Sequence, residues 1–412
     1  MLSVNGARDQ LDGLLREVVE RLAPLDRTPC SDGEREAAEW LAGRLRQLGV
    51  ADVALEDEPS WGTFPPTSAG LGGLGILGTA LVRDGRRRGL GALLSAVSLA
   101  GVLDEAQNGP RIVRRLVRRK RTTVNVVAKL GDWSTSRVPG GGVVDTLVLL
   151  AHHDAPQTGF MFDQSLQRRL VELAPQRMAR AKTSFPQWWL GLAGPLGSMF
   201  AAATRRRTGT GFPLLLGLLG VAMVCDVWRS ETVQGANDNL SGVAVLVAIA
   251  SLLSARPTSK LRVMLASCGA EETLQDGIRA FVARHRSELD PTRTCFVNLD
   301  TVGSPALVML EGEGPIWMED YRGPWVRDLI STCATELGIE LERGFRARSS
   351  TDSVIPNRAG YPIATLLSIN EWRSPSNYHL PSDVPDNLDY GTVAEASLLV
   401  ERVARALDEG RA

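Results

Sequence analysis

The chain predicts an α/β fold: a mixed, largely parallel central sheet flanked by helices, interrupted by two apolar helical hairpins. Three observations carry it. Short Val- and Leu-rich runs such as VDTLVLL alternate with longer helical patterns such as TVAEASLLVERVARALDEG, the alternation expected of strands covered by helices. Acidic and histidine residues gather where the predicted strands end, the place ligands occupy in such sheets. Two long uncharged stretches interrupt the alternation, each broken by arginines.

In chain order, residues 8–49 read as two amphipathic helices, with Leu11, Leu14, Leu15, Val18, Val19 and Leu22 marking the first stripe. SDGEREAAEWLAGRLRQLG supplies a capping Ser or Asp, an early Glu and a closing Gly49. VADVALEDE reads as a strand. Residues 67–82 and 89–103 are uncharged around RDGRRR, and residues 183–204 and 208–225 are uncharged around the arginine triplet at 205–207. RTTVNVVAKL and TLVLLAHHD are successive strands, the second preceded by the glycines at 140–142; SGVAVLVAIASLLSA is a helix, LRVMLASCG a strand, DGIRAFVARHRSELD a helix and TCFVNLDTVG a strand. VRDLISTCATELG, strand-like IATLLSI and the final helix complete the alternation.

The uncharged segments run to about 15–18 residues, borderline against the roughly 17–25 of a spanning helix. Two readings stand: a buried helical subdomain, or membrane insertion through residues 67–103 and 183–226. Four such segments, their glycines, and Trp188, Trp189 and Trp228 at segment ends favour insertion. Arginine tips belong on the cytoplasmic side, which places the body outside, yet MLSVNGARDQ lacks the apolar region of a signal peptide. The expectation is membrane association with the side open, a cytoplasmic location being the alternative.

Composition excludes some classes. With 46 Lys plus Arg against 47 Asp plus Glu over 412 residues, no global basic field points to nucleic acid. Five cysteines without a Cys-x-x-Cys spacing suggest free thiols.

The chemistry concentrates in a few strand-end motifs. The four histidines of the chain include the adjacent pair in AHHDA. Alternation along a strand puts His152 and Asp154 on one side and His153 on the other, an imidazole ligand with a carboxylate to orient it. GANDNLSGVAVL places Asp238 in a turn-rich loop, with Ser241 and Gly242 as capping and close-approach residues. LRVMLASCGAEE ends on Glu271 and Glu272, CFVNLDTVG on Asp300, and SNYHLPSD carries Tyr378, His379 and Asp383.

This series, H-x-D, G-x-x-D-N-x-S-G, E-E, N-L-D and Y-H-x-x-x-D, resembles the zinc aminopeptidase family, metallopeptidase family 28. The resemblance covers residues 10–58 and 120–410 loosely and the five motifs tightly. It implies the zinc-aminopeptidase fold over a single domain, 1–412, with hairpins inserted at 66–106 and 183–228. It implies two zinc ions bridged by Asp238, one completed by His152 and Asp300, the other by Glu272 and His379. Glu271 is then the general base acting on a metal-bridging hydroxide, Asp154 the carboxylate orienting His152, and Tyr378 a donor to the oxyanion. His153 has no part in the pattern. Imidazole and carboxylate ligands suit zinc. The implied reaction is hydrolysis of amino-terminal peptide bonds.

The chain departs from the family in the 83 residues between Asp154 and Asp238, and in Ser350, Thr351, Asp352 and Ser353 where the family has Ser-Asp-His. Because the second insert leaves the strand after Asp154, it should rise near the mouth of the metal site and favour hydrophobic or membrane-associated peptides. Alternatives are a di-zinc N-acyl amino acid deacylase or carboxypeptidase, whose large lid is hard to fit into the 78 residues between Asp300 and His379, a glutaminyl cyclase-like transferase, and a non-catalytic membrane scaffold. The retained ligand set argues against the last, since clustered buried carboxylates are costly without a cation.

Overall fold

The computed structural model describes residues 4–134, 144–184, 189–204 and 210–411. Helix α1 (Val4–Leu22) buries the expected stripe, Leu11, Leu15, Val18, Val19 and Leu22. Helix α2 (Asp32–Gln47) is capped by Ser31, whose Oγ accepts from the Glu34 N–H at 3.1 Å. It ends at Gly49, whose φ of +92° suits glycine. Strand β1 (Asp52–Ser60) leads into the first apolar hairpin, α3 (Pro65–Asp84) and α4 (Arg88–Ala106), followed by the short α5 (Ile112–Val117) and strands β2 (Arg121–Leu130) and β3 (Thr146–His152).

Two short helices that the sequence pattern did not reveal, α6 (Ser165–Leu173) and α7 (Pro175–Ala179), precede the second hairpin, α8 (Trp189–Thr204) and α9 (Gly211–Arg229). Thr183 does not belong to that hairpin but bridges Arg346 in the sheet. The glycines at 140–142, Trp188 and the arginines at 205–207 lie outside the described residues.

The remainder is α10 (Ser241–Ala255), β4 (Arg262–Cys268), α11 (Asp276–His285), β5 (Thr294–Leu299), β6 (Ala306–Glu313), β7 (Glu319–Asp320), α12 (Pro324–Leu337), β8 (Glu342–Ala347), α13 (Val354–Arg358), β9 (Ile363–Ile369) and α14 (Tyr390–Asp408). The nine strands form one mixed sheet in the order β1-β2-β4-β3-β5-β9-β6-β7, with β8 paired to β6. Its centre, β4-β3-β5-β9, is parallel, while β1, β2 and β7 pair antiparallel to their neighbours, as does β6 with β9. Strands β6, β7 and β8 were not predicted: β7 is two residues long, ERGFRA is half charged, and the apolar start of ALVMLEGE gives way to two glutamates and a glycine.

Helices α1, α2, α10, α12 and α14 cover one face of the sheet and α11 and α13 the other, giving two apolar cores. Between β3 and β4, α10 is apolar all round because it is buried almost all round: Ser241 through Ala250 are sealed from solvent. A close approach fixes its start. A methyl group on Gly242 would lie 2.4 Å from the Leu299 carbonyl oxygen, so only glycine lets α10 enter beside β5. Ser241 is not the cap that the sequence suggests; its hydroxyl bonds the Asn237 carbonyl at 2.7 Å, and the Asn239 side chain takes the Gly242 N–H at 3.1 Å.

A candidate metallohydrolase centre

The parallel arrangement of β4-β3-β5-β9 brings the carboxyl ends of these strands together, and the predicted site residues converge there. His152 is the last residue of β3, Asp300 follows β5, and His379 lies in the loop after β9. Asp238 sits in the turn before α10. Glu271 and Glu272 do not end β4, which stops at Cys268; they occupy a one-turn 3-10 helix (Glu271–Thr273) entered through Ala270 at φ +51°. The turn, rather than strand alternation, separates their carboxylates.

The two oxygens of Asp238 face different imidazoles: Oδ1 lies 3.2 Å from His152 Nε2 and Oδ2 3.2 Å from His379 Nε2. Glu272 Oε1 lies 3.7 Å from His379 Nε2, and ligand atoms of His152, Asp238 and Glu272 fall within 4.8 Å of one another. Behind His152, Asp154 Oδ1 stands 3.3 Å from Nδ1. Asp154 also accepts the Glu271 and Glu272 N–H groups at 3.0 and 2.9 Å, so one carboxylate orients both the histidine and the glutamate turn. His153 points away; its Nδ1 meets Ser267 Oγ at 3.0 Å and burial lowers its pKa to about 4. Asp383 accepts the Asn237 and Asp238 N–H groups at 2.7 and 3.1 Å and so fixes the Asp238 turn.

His152, Asp238, Glu271, Glu272, Asp300 and Tyr378 line one cleft of about 90 Å³, walled by Phe345, Ala347 and Thr351. Tyr378 stacks obliquely on His379, ring centroids 4.1 Å apart, and Phe162 packs against the same imidazole at 4.2 Å. Two neighbours of the cluster had no role in the sequence reading, Asp352 being named there only within a departing motif and Gln275 not at all. Asp352, fully buried, finds no hydrogen-bond partner for either oxygen among the described residues. Gln275 donates to Glu271 Oε1 and to the Ser350 carbonyl. Nothing in the local pattern around Gln275 signals this, because it faces Glu271 only through the turn.

Electrostatics supply the test of whether a cation belongs here. Burial pushes the carboxyls of Glu271, Glu272 and Asp352 well above their ordinary range and that of Asp300 up to about 7. In Asp238 burial also raises the pKa, but the two histidines outweigh it and hold the group well below its usual value. Burial alone would lower the His152 pKa; contacts with Asp154 and Asp238 reverse that. Five acidic groups sharing two imidazoles in one buried cluster, one of them unpartnered, is an arrangement a divalent cation stabilises, and the donor set of imidazole and carboxylate suits zinc.

One cation is already built in. Arg27 is fully buried without a carboxylate partner among the described residues; its guanidinium donates to the carbonyls of Leu22, His153 and Gln234 at 2.7 to 2.8 Å. It ties the end of α1, the exit of β3 and the approach to Asp238 together, and though burial lowers its pKa to about 10 it stays charged at neutral pH. Arg27→Met strands these carbonyls and should destabilise the fold by about 3 kcal/mol or more, read as a lowered denaturation midpoint at unchanged slope.

The sequence profile of Peptidase family M28 matches residues 221–404, the segment bearing Asp238, Glu271, Glu272, Asp300 and His379. Those residues carry the signature of Peptidase family M28. No curated protein sequence matches the chain. Solved structures share the fold of this chain at low identity. Legionella pneumophila LapA aminopeptidase superposes with a TM-score of 0.54 at 12% identity, over 97% of this chain and 73% of its own. A zinc-dependent exopeptidase from Parabacteroides distasonis gives 0.54 at 14%, covering 95% and 97%. Glutaminyl cyclase from Bacteroides thetaiotaomicron gives 0.54 at 15%, covering 95% and 96%. Peptidase family M28 is zinc-dependent, and His152, Asp238 and Glu272 form a candidate metal site in this chain.

Glu313, at the end of β6 beneath the cleft, accepts the Thr351 N–H at 2.7 Å, and burial raises its pKa to about 8. Between the ordinary carboxyl pKa and about 8 the folded state binds more protons than the unfolded chain, so stability falls as pH rises through that window. Glu313→Gln should flatten part of the decline in thermal midpoint from pH 5 to pH 8, and an equal slope in the variant would contradict this.

Proposed function

We propose that the protein is a di-zinc aminopeptidase that hydrolyses amino-terminal peptide bonds with Glu271 as general base. The reading takes residues 1–412 as one metallopeptidase domain into which hairpins at 66–106 and 183–228 are inserted. The observation that carries it is Asp238 placed between His152 and His379, one carboxylate oxygen toward each. His152, Asp300 and Asp238 would hold one ion, and Glu272, His379 and Asp238 the other. Bound there, zinc would polarise the scissile carbonyl and acidify water.

The protein's own groups do the rest. Glu271 takes a proton from water as its oxygen adds to the carbonyl carbon, and returns that proton to the departing nitrogen as the C–N bond breaks. Gln275 aims the Glu271 carboxylate, Asp154 fixes both His152 and the glutamate turn, and Tyr378, lining the cleft, is placed to donate to the developing oxyanion. A cleft of about 90 Å³ suits one terminal side chain rather than a long segment.

Hydrolysis of a panel of aminoacyl amides, alongside N-acylated counterparts, tests the reading: free-amine substrates should be cleaved and acylated ones refused. A second reading, cyclisation of amino-terminal glutamine, is favoured by the structural kinship with glutaminyl cyclases and would show itself as pyroglutamate product.

A further inference from the structure

The two apolar hairpins pack into a four-helix bundle whose outer face, unlike that of the catalytic body, is rich in large apolar side chains. Its interior holds a small apolar cluster, Leu71, Val102 and Leu192, beside buried small and hydroxyl-bearing residues, Gly78, Gly91, Ser95, Ser98 and Ser198. Ser95 Oγ bonds Ser198 Oγ at 2.9 Å, and Ser98 Oγ bonds the Leu71 carbonyl at 2.7 Å. The backbones of α3 and α4 approach so closely that a methyl group on Gly91 would meet the Gly78 carbonyl oxygen at 2.6 Å. The outside carries Leu77, Leu93, Phe200, Phe212, Leu215 and Leu218, each more than half exposed.

In water the hydrophobic effect would turn those side chains inward. In lipid it gives helices no reason to associate through leucine, and close packing of small residues with interhelical hydrogen bonds holds them instead. The contrast with α10 isolates the point. The apolar window containing α10 is 78% buried and is core, whereas that of α9 is only 11% buried.

Length and charge say how the bundle would lie. Helices of 20, 19, 16 and 19 residues reach about 24 to 30 Å, against a hydrocarbon layer of about 30 Å. The tip of the first hairpin carries Arg83, Arg86, Arg87 and Arg88 around Gly85, and the chain joining α8 to α9 contains three more arginines. Arginines are costly within hydrocarbon, so the hairpins must cross it and return rather than stop inside. At the opposite end, Trp189 and Trp228 are half-exposed at the feet of α8 and α9. Beside them α5 exposes Ile112, Leu116 and Val117 among arginines, and α6 exposes Leu166 and Leu173 beside Arg168 and Arg169, a pattern suited to the headgroup boundary.

That boundary coincides with the metal cleft. Phe64 and Pro65 at the foot of α3, and Val227 at the foot of α9, share a crevice with Glu272 and His379. A cavity of about 310 Å³ runs from Met223 of α9 past Phe160, Leu166 and Leu170 to Tyr378, which also lines the cleft. We propose that the bundle is embedded in a lipid bilayer and seats the metal cleft at the membrane surface, where it takes free amino termini of membrane-associated peptides along this apolar groove. The bilayer seat stands on the bundle alone; the substrate class rests on the aminopeptidase reading.

The full-length protein is floated with vesicles of phosphatidylcholine and phosphatidylglycerol, and membranes of expressing cells are washed with alkaline carbonate. It should float with the vesicles and resist the wash. Recovery as a detergent-free soluble particle that does not float overturns the seat, whether that particle is a monomer or a dimer with the apolar faces covered by a second copy. The triple variant L93R/L215R/L218R should lose resistance to the wash; if it fails to fold, wild-type flotation still decides. In vesicles, kcat/KM for a leucyl peptide joined to a membrane-inserted helix should exceed that of the same amino-terminal tetrapeptide free in solution at least tenfold. Equal values overturn the substrate class. Turnover of neither peptide counts against the aminopeptidase reading and removes the substrate class with it, leaving the seat to flotation, which needs no activity.

Discussion

Glu271→Gln should lower kcat by about 10³- to 10⁴-fold while the purified protein keeps its full complement of zinc. The magnitude is that of removing a positioned general base, worth roughly 10²- to 10⁴-fold, taken at its upper end because no second group stands ready to replace it: Glu272 faces His379, and Asp352 has no hydrogen bond to hold it toward the reacting water. Gln is isosteric, retains a carbonyl for the Gln275 amide to donate to, and leaves the backbone N–H bonds to Asp154 intact. Metal content and thermal midpoint should therefore move little, separating loss of the base from loss of the fold. Metal analysis beside aminoacyl amide kinetics reads both quantities. Activity within a few fold of wild type would remove Glu271 from the mechanism.

Asp238→Ala should abolish the retention of zinc at both positions and cut activity by at least on the order of 10³-fold, the upper end for loss of one electrostatic stabiliser. Asp238 is the one carboxylate whose two oxygens address both histidines, so its removal strips a ligand from each proposed ion at once, whereas His152→Ala or His379→Ala strips only one. Graded metal content, with Asp238→Ala lowest, is the expected signature; a variant that keeps one tightly held equivalent would show that the carboxylate does not bridge. Chelation of the wild type should lower its thermal midpoint more at pH 8 than at pH 5.5. Without a cation, Asp300, with its pKa near 7, is neutral in the folded state at the lower pH, and its ionisation opposes folding as pH rises.

The site residues were legible because the chemistry sits where strands end, and strand ends can be located from apolar runs. His152, Asp154, Asp238, Glu272 and His379 converge as the motifs implied, and Asp300 shares their cleft. What could not be read was the local geometry between them. LRVMLASCG suggests a strand running up to the glutamates, yet the chain turns at Gly269 and Ala270 because Asn125 Oδ1 takes the Gly269 N–H at 3.1 Å and the Glu34 carboxylate takes the Ala270 N–H at 2.8 Å. Both partners are more than a hundred residues away in sequence. Arg27 escaped notice, and Asp352 was named only within a departing motif, for a related reason: each is an ordinary charged residue until burial removes its water.

By itself, then, the sequence determined the alternation of strands and helices, the ligand types and the existence of two uncharged hairpins, since periodicity and composition are properties of neighbours along the chain. The tertiary structure alone decided which apolar helix is core and which is not. Leu246 of α10 and Leu215 of α9 are indistinguishable as residues, and only the β-sheet and helices packed around the first, and their absence around the second, separate a buried crossover from a face left for another medium. It also decided the edge strands and the glutamate turn, because hydrogen bonds between distant segments leave no periodic trace in either.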